Sequence, residues 1–408
     1  MENFDQTRRR VLASGAALLA GALLPAHAFA ENKKEFRIGA LNPITGAGGF
    51  YGPGMQKTIL MVAQDVNAAG GAAGRMLRVF AEDCQTSPEA AALAVRKLVS
   101  VNRVEAILGT WSSGVTLATM AQTNPAGLIS MNTSGATAIS HENTEGLAWR
   151  FQATNERYGQ GFFRAVEQEG FEKVATMALN NPSGRSVLEG FTKEWEGVGK
   201  KVVESVIYEP NRPSYRSEVQ RILSRQPDAV VMGAYLPDAS IILREGYQTG
   251  IPVRWLMPGF VGAPDLVKAL GKEATEGVMM IDIIMNDGSA ALERFNAMYS
   301  EAMGQPGSSN LYATMCYDMV LVLALAIEAA GPNASTAQVN EKIREVSSQG
   351  GTEVNTFEEG KEALKKGKIS LVGASSRLNF DEVGNATQDL GLTVIEDGVA
   401  VYKGKVTV

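Results

Sequence analysis

The fold class this sequence predicts is α/β: two lobes of similar design, each a parallel sheet covered by helices. Three observations predict it. At 408 residues the chain is too long for one ordinary domain. From Phe36 onward, short apolar runs alternate with stretches of helical periodicity. The same alternation begins again near residue 173. Strand, helix and strand joined by short connections give a parallel sheet with helices on both faces.

In the first run, residues 36–41, 77–81, 104–108 and 128–131 read as buried strands. Met55, Ile59, Val62 and Val66 recur at helical spacing between the first two, as do Ala91, Ala94, Val95 and Leu98 between the next two. Ser87-Pro88 supplies an N-cap and a first helical position. In the second run, residues 173–179, 202–208, 229–233 and 253–257 read as strands, and 156–168, 184–198, 215–224 and 237–248 as helices. Residues 311–330 form the most apolar stretch beyond the N-terminus. Asp318 and Glu328 interrupt it, and Gly331-Pro332 stops it, so a core helix is expected rather than a membrane span. Residues 347–368 are polar and uneven and are expected at the surface. A hairpin is expected around Asp397-Gly398, with arms 391–396 and 399–402.

Residues 1–30 read as an export signal. Thr7-Arg8-Arg9-Arg10-Val11-Leu12 brings the charge, an apolar run follows from Val11 to Leu24, and Ala26-His27-Ala28 and Ala28-Phe29-Ala30 are small-x-small cleavage sites. The run is too short to span a bilayer. The paired arginines resemble a twin-arginine signal. No cysteine follows the run to carry a lipid, so a soluble periplasmic protein, without membrane insertion, is expected. Cys84 and Cys316 permit either a bridge or two separate buried thiols. The net charge of −6 argues against nucleic acid or an anionic membrane surface as partner.

In open parallel sheets, ligands sit beyond the carboxyl ends of the strands. Three loops lie there. The first, from Asn42 to Gly52, carries Gly46, Gly48, Gly49 and Tyr51. Tyr51 stands where a dinucleotide loop needs its third glycine, so a small-ligand mouth fits better. The second holds Trp111, Ser112, Ser113 and Gly114 at a helix start, where free N–H groups and the helix dipole favour an anion. The third is Asn132-Thr133-Ser134-Gly135-Ala136-Thr137. Hydroxyl-rich turns after neighbouring strands point to a shared carboxylate site, although a plain N-cap would also use Ser112 or Ser113. Catalysis is not expected. His141 is the only histidine after the leader, and no Gly-x-Ser-x-Gly elbow is present. One histidine and two distant cysteines offer no metal cluster, and no cofactor is implied.

These loops, in this order, resemble the periplasmic leucine/isoleucine/valine-binding protein family of ABC transporters. The resemblance is carried by Ile38-Gly39-Ala40, Thr45-Gly46, Tyr51-Gly52-Pro53-Gly54, Asn67-Ala68-Ala69-Gly70-Gly71, Glu82-Asp83, the Gly109 to Ser113 loop, Pro227-Asp228-Ala229-Val230-Val231, Gly233-Ala234-Tyr235 and Tyr317-Asp318. It implies a type I periplasmic binding fold. Residues 36–150 and 282–375 would form the first lobe, 151–281 and 376–408 the second, with three crossings as a hinge. It further implies a monomer that closes on a small molecule and docks to a membrane permease. Ser113, Ala136 and Thr137 would grip a ligand carboxylate. Tyr51 would face it from the first lobe, and Ser183, Tyr235, Gly259 and Phe260 from the second.

Two departures stand out. Amino-acid binders of the family place an acid after the strand 253–257, whereas this chain reads Met257-Pro258-Gly259-Phe260. Ser183-Gly184 replaces a frequent Tyr-Gly. A buried ammonium without a counter-charge is costly, so an aromatic or aliphatic carboxylate or an amide is expected beside an amino acid, with Asp238 or Glu209 as alternative counter-charges. A ligand sensor of the same fold, or an exported serine hydrolase using Ser113, are the competing functions.

Overall fold

The computed structural model describes residues 34–408, so the expected leader lies outside it. One sheet has five parallel strands in the order β2-β1-β3-β4-β5: β1 Glu35–Asn42, β2 Met76–Asp83, β3 Ala106–Thr110, β4 Ile129–Asn132 and β5 Ala148–Arg150. A second sheet contains β6 Val174–Leu179, β7 Ser205–Tyr208, β8 Ala229–Gly233, β9 Arg254–Pro258 and β10 Met279–Ile283. Its edge is completed by β13 Leu390–Glu396 and β14 Val399–Val406. The order is β14-β13-β10-β9-β8-β6-β7, parallel from β7 to β10 and antiparallel at the terminal hairpin. These two sheets are the cores of two lobes. A short parallel pair, β11 Thr352–Val354 and β12 Ile369–Leu371, lies apart from both.

The strands form where β-branched and aliphatic residues run unbroken; β3, β4, β6 and β8 are buried at every position, as expected when helices cover both faces. Ser87 caps Pro88–Ser100 by accepting the Ala90 N–H at 3.2 Å. Helix Leu311–Ala330 is long and apolar enough to cross a membrane by composition, yet 83% of that window is buried. It packs on helix Gly52–Ala68, and Asp318 within it accepts hydrogen bonds from Ala374 and Ser375. Residues 347–368 lie mostly at the surface, as expected, and also hold β11 and helix Phe357–Leu364, with Val354 and Phe357 buried. Their few apolar residues are the ones that dock, so overall polarity concealed them. Cys84 and Cys316 are both free and buried.

The chain passes between the lobes three times: after β5, after β10 and after β12. The crossings are laced together. The Arg150 N–H donates to Gly384 at 2.8 Å, and the Ala386 N–H donates back to Arg150 at 2.8 Å. Asn286 donates its side-chain amide to the Gly373 carbonyl at 2.8 Å.

Candidate functional site

The loop after β1 is shaped by close approach. Gly46 has φ of +80°, and a Cβ there would stand 2.2 Å from the Gln85 carbonyl. A Cβ on Gly48 would lie 2.7 Å from the Trp111 ring. Asp83, at the end of β2, accepts from the Ile44 N–H at 3.0 Å and the Thr45 hydroxyl at 2.7 Å. Burial works to raise its carboxyl, but these hydrogen bonds outweigh it and hold the group below its ordinary range. Asp83 therefore braces the glycine loop.

This loop presents Tyr51 to an aromatic cluster built by both lobes. Trp111, from the end of β3, lies 5.9 Å from Tyr51 and 5.9 Å from Tyr312, both in the first lobe. It also lies 4.9 Å from Tyr235 and 6.4 Å from Phe260, which follow β8 and β9 of the second. Tyr158 reaches Phe260 at 6.0 Å. Burial pushes the hydroxyls of Tyr51, Tyr158, Tyr235 and Tyr312 up, so all four are protonated donors at neutral pH.

Polar contacts seal the same seam. The Tyr235 hydroxyl meets the Ser112 hydroxyl at 3.3 Å. Thr137 donates its N–H to the Ser186 hydroxyl at 3.1 Å, and the two hydroxyls are 2.9 Å apart. Ser113 Oγ accepts the Ala136 N–H at 3.1 Å, so it joins the second and third loops rather than capping its own helix. Arg150, 1% exposed, donates to the carbonyls of Gly135 at 3.1 Å and Ala136 at 2.9 Å, which fixes the third loop from behind. Ser183 accepts from the Asn155 amide at 3.0 Å.

Of the twelve residues read from the sequence, ten converge on this seam: Tyr51, Trp111, Ser112, Ser113, Gly135, Ala136, Thr137, Ser183, Tyr235 and Phe260. Ser134 turns inward, its hydroxyl donating to the Trp111 carbonyl at 2.9 Å and touching Thr116 at 2.6 Å. Gly259 lies beside Asp282. Asp238 is occupied by the Tyr215 hydroxyl at 2.6 Å, and Glu209 by the Asn180 amide.

The sequence reading missed Gln152, Asn155, Tyr158, Asp282 and Tyr312. Gln152, Asn155 and Tyr312 ring a void of about 10 Å³ at the centre of the seam, together with Trp111, Gly135, Ser183, Tyr235 and Phe260; that is room for roughly one water. Asn155 Oδ1 is buried there without a hydrogen-bond partner. Outside this void a cavity of about 530 Å³ opens between the strand-end loops of both lobes, lined among others by Gly46, Gln85, Ser112, Asn181, Tyr235 and Asp238. Hydroxyl-bearing loops on both walls with aromatic rings between them suit reversible capture of a small molecule.

Residues 35–369 match the family described as periplasmic binding protein. An amino acid binding protein of Pseudomonas aeruginosa is 26% identical over 338 residues, covering 80% of this chain and 85% of its own. A leucine binding protein from Thermotoga maritima has a similar structure, with a TM-score of 0.78 at 19% identity over 91% of this chain and 99% of its own. A solute binding protein of an ABC transporter from R. palustris, solved with benzoate, gives a TM-score of 0.73 at 19% identity over 91% and 96%. With a match that spans most of its length, and loops that resemble the same proteins, the chain belongs to the periplasmic binding protein family.

Proposed function

We propose that this chain is the solute-binding component of an ABC importer, exported to the periplasm by the twin-arginine route and working as a monomer. It closes two lobes on a small carboxylate-bearing ligand and presents the closed shape to a membrane permease. The lobes are residues 36–150 with 282–375, and 151–281 with 376–408. The observation that carries the reading is the seam itself: strand-end loops of both sheets meet at one place, through Trp111 and Tyr235 at 4.9 Å and Thr137 and Ser186 at 2.9 Å. A ligand that touches both walls binds the closed form better than the open one, and this difference in affinity drives closure. The named relatives bind an amino acid, leucine and benzoate, so both amino acids and aromatic acids enter the candidate list.

The carboxylate would be received by Ser113, Ala136 and Thr137. Ser113 accepts one N–H and retains its own proton to give. A thermal-shift screen over amino acids, aromatic acids and short amides tests the function, because a ligand that binds only the folded state raises its melting temperature. Small-angle scattering should show compaction with each hit. Turnover of a compound without stoichiometric binding would reject the reading. Ser113→Ala should weaken a carboxylate hit by about 1–3 kcal/mol in calorimetry; unchanged affinity removes Ser113 from the site.

A further inference from the structure

The cleft offers an anion no cation on its own walls. Neither the central void nor the larger cavity outside it is lined by lysine, arginine or histidine. A positive charge does sit behind the third loop. Arg150, at the end of β5, is 1% exposed, and no carboxylate lies within ion-pair distance of it among the described residues. Its Nε is buried without a hydrogen-bond partner. Burial pushes its pKa down to about 10, against the pull of the Asp381 charge, so the group stays cationic at neutral pH. A buried charge without a close partner is costly.

The guanidinium aims its fork at two consecutive peptide groups. Nη1 donates to the Gly135 carbonyl at 3.1 Å, and Nη2 donates to the Ala136 carbonyl at 2.9 Å and to the Ser140 hydroxyl at 3.2 Å. Both peptide groups are trans, so each N–H points away from its C=O. At the far ends, the Ala136 N–H donates to Ser113 Oγ at 3.1 Å, and the Thr137 N–H donates to Ser186 Oγ at 3.1 Å. Two chains of hydrogen bonds therefore run from one buried cation to hydroxyls at the seam, Ser113 on the first lobe and Ser186 on the second. Hydrogen bonds in a row polarise one another, and a low dielectric strengthens the effect.

We propose that Arg150 is a positioning residue that makes the cleft select anionic over neutral ligands, its charge relayed through the two peptide groups of the third loop. This rests on the reading of Ser113, Ala136 and Thr137 as the seat of a carboxylate. The guanidinium does not touch the ligand. It holds both peptide groups in line and polarises their N–H ends, so an incoming carboxylate meets donors already aligned. A neutral amide of the same shape fills the seat but gains little from the relayed charge.

The test uses acid and amide pairs of equal shape, measured by calorimetry on the full mature chain. Benzoate is compared with benzamide, 4-methylpentanoate with 4-methylpentanamide, and L-leucine with L-leucinamide. In each pair that binds, the wild type should prefer the acid by about tenfold or more. Arg150→Gln, which can still donate but carries no charge, should cut that preference below about threefold while the amide keeps most of its affinity. Arg150→Lys, which restores the charge without the fork, should recover most of the preference. If Arg150 merely braced the loop, Arg150→Gln would weaken acid and amide alike. An unchanged ratio in Arg150→Gln, or no recovery in Arg150→Lys, therefore overturns the proposal while the binding function stands. Equal or tighter binding of the amides by the wild type does the same, whether or not the variants fold. Failure of every compound to bind overturns both.

Discussion

Trp111→Ala should leave a folded protein that no longer closes on its ligand. Trp111 is 5% exposed and is the ring that touches both walls. Two of its neighbours, Tyr51 and Tyr312, share its lobe; the other two, Tyr235 and Phe260, do not. Truncating a buried tryptophan costs about 3–5 kcal/mol in a fixed environment. Here the seam can part, so much of the loss falls on the closed state. Ligand affinity should drop by roughly two orders of magnitude, equivalent to about 3 kcal/mol. The melting temperature of the unliganded protein should fall by only a few degrees. Scattering at saturating ligand is the decisive measurement: full compaction in the variant would show that Trp111 does not couple the lobes.

Asp318→Asn should destabilise the protein in mildly acidic solution and much less in alkaline solution. Asp318 is fully buried; Oδ1 accepts the Ala374 N–H at 2.7 Å, and Oδ2 accepts both the N–H at 2.7 Å and the hydroxyl at 2.6 Å of Ser375. An amide offers one oxygen where the carboxyl offers two, so at least one of these donors faces an NH2 group, at a cost of about 1–3 kcal/mol. The pH dependence has a definite sign. Burial pushes the Asp318 carboxyl up to about 7, although the three donors oppose this. An unfolded aspartate titrates near 3.9, so between these values the folded chain holds a proton that the unfolded chain does not. This stabilisation is complete below about pH 4 and is lost as pH rises through 7, amounting to about 2–4 kcal/mol. The variant lacks this titration. Urea unfolding at intervals from pH 5 to 8 should therefore show the gap between the two proteins narrowing. Parallel curves would mean that Asp318 titrates normally.

Much of this architecture was legible in the residues. Strand β8 is the 229–233 run itself, and Ser87-Pro88 caps its helix, because uninterrupted β-branched runs and caps are local signals. The three strand-end loops were legible for the same reason. Tyr312 was hidden by its surroundings: in the most apolar helix, nothing distinguishes a ring facing the seam from one facing the core. Asp282 was hidden by topology. An acid was sought on the chain that continues from β9, whereas the carboxylate beside Gly259 belongs to β10, more than twenty residues later. Asn155 follows the first crossing, and its importance depends on Gly135, which reaches it only when the loops pack: a Cβ on that glycine would lie 1.8 Å from its oxygen.

The three crossings carry a consequence for how the molecule is made. Strand β10 waits for β13, which is more than a hundred residues downstream and is itself paired with β14. A chain emerging in order cannot complete the second sheet until β13 and β14 arrive, so long-range pairing governs the assembly of that lobe. Cutting between the lobes at any single peptide bond cannot release either as an intact piece. Removing residues 389–408 would bare the flank of β10 to pairing with other molecules.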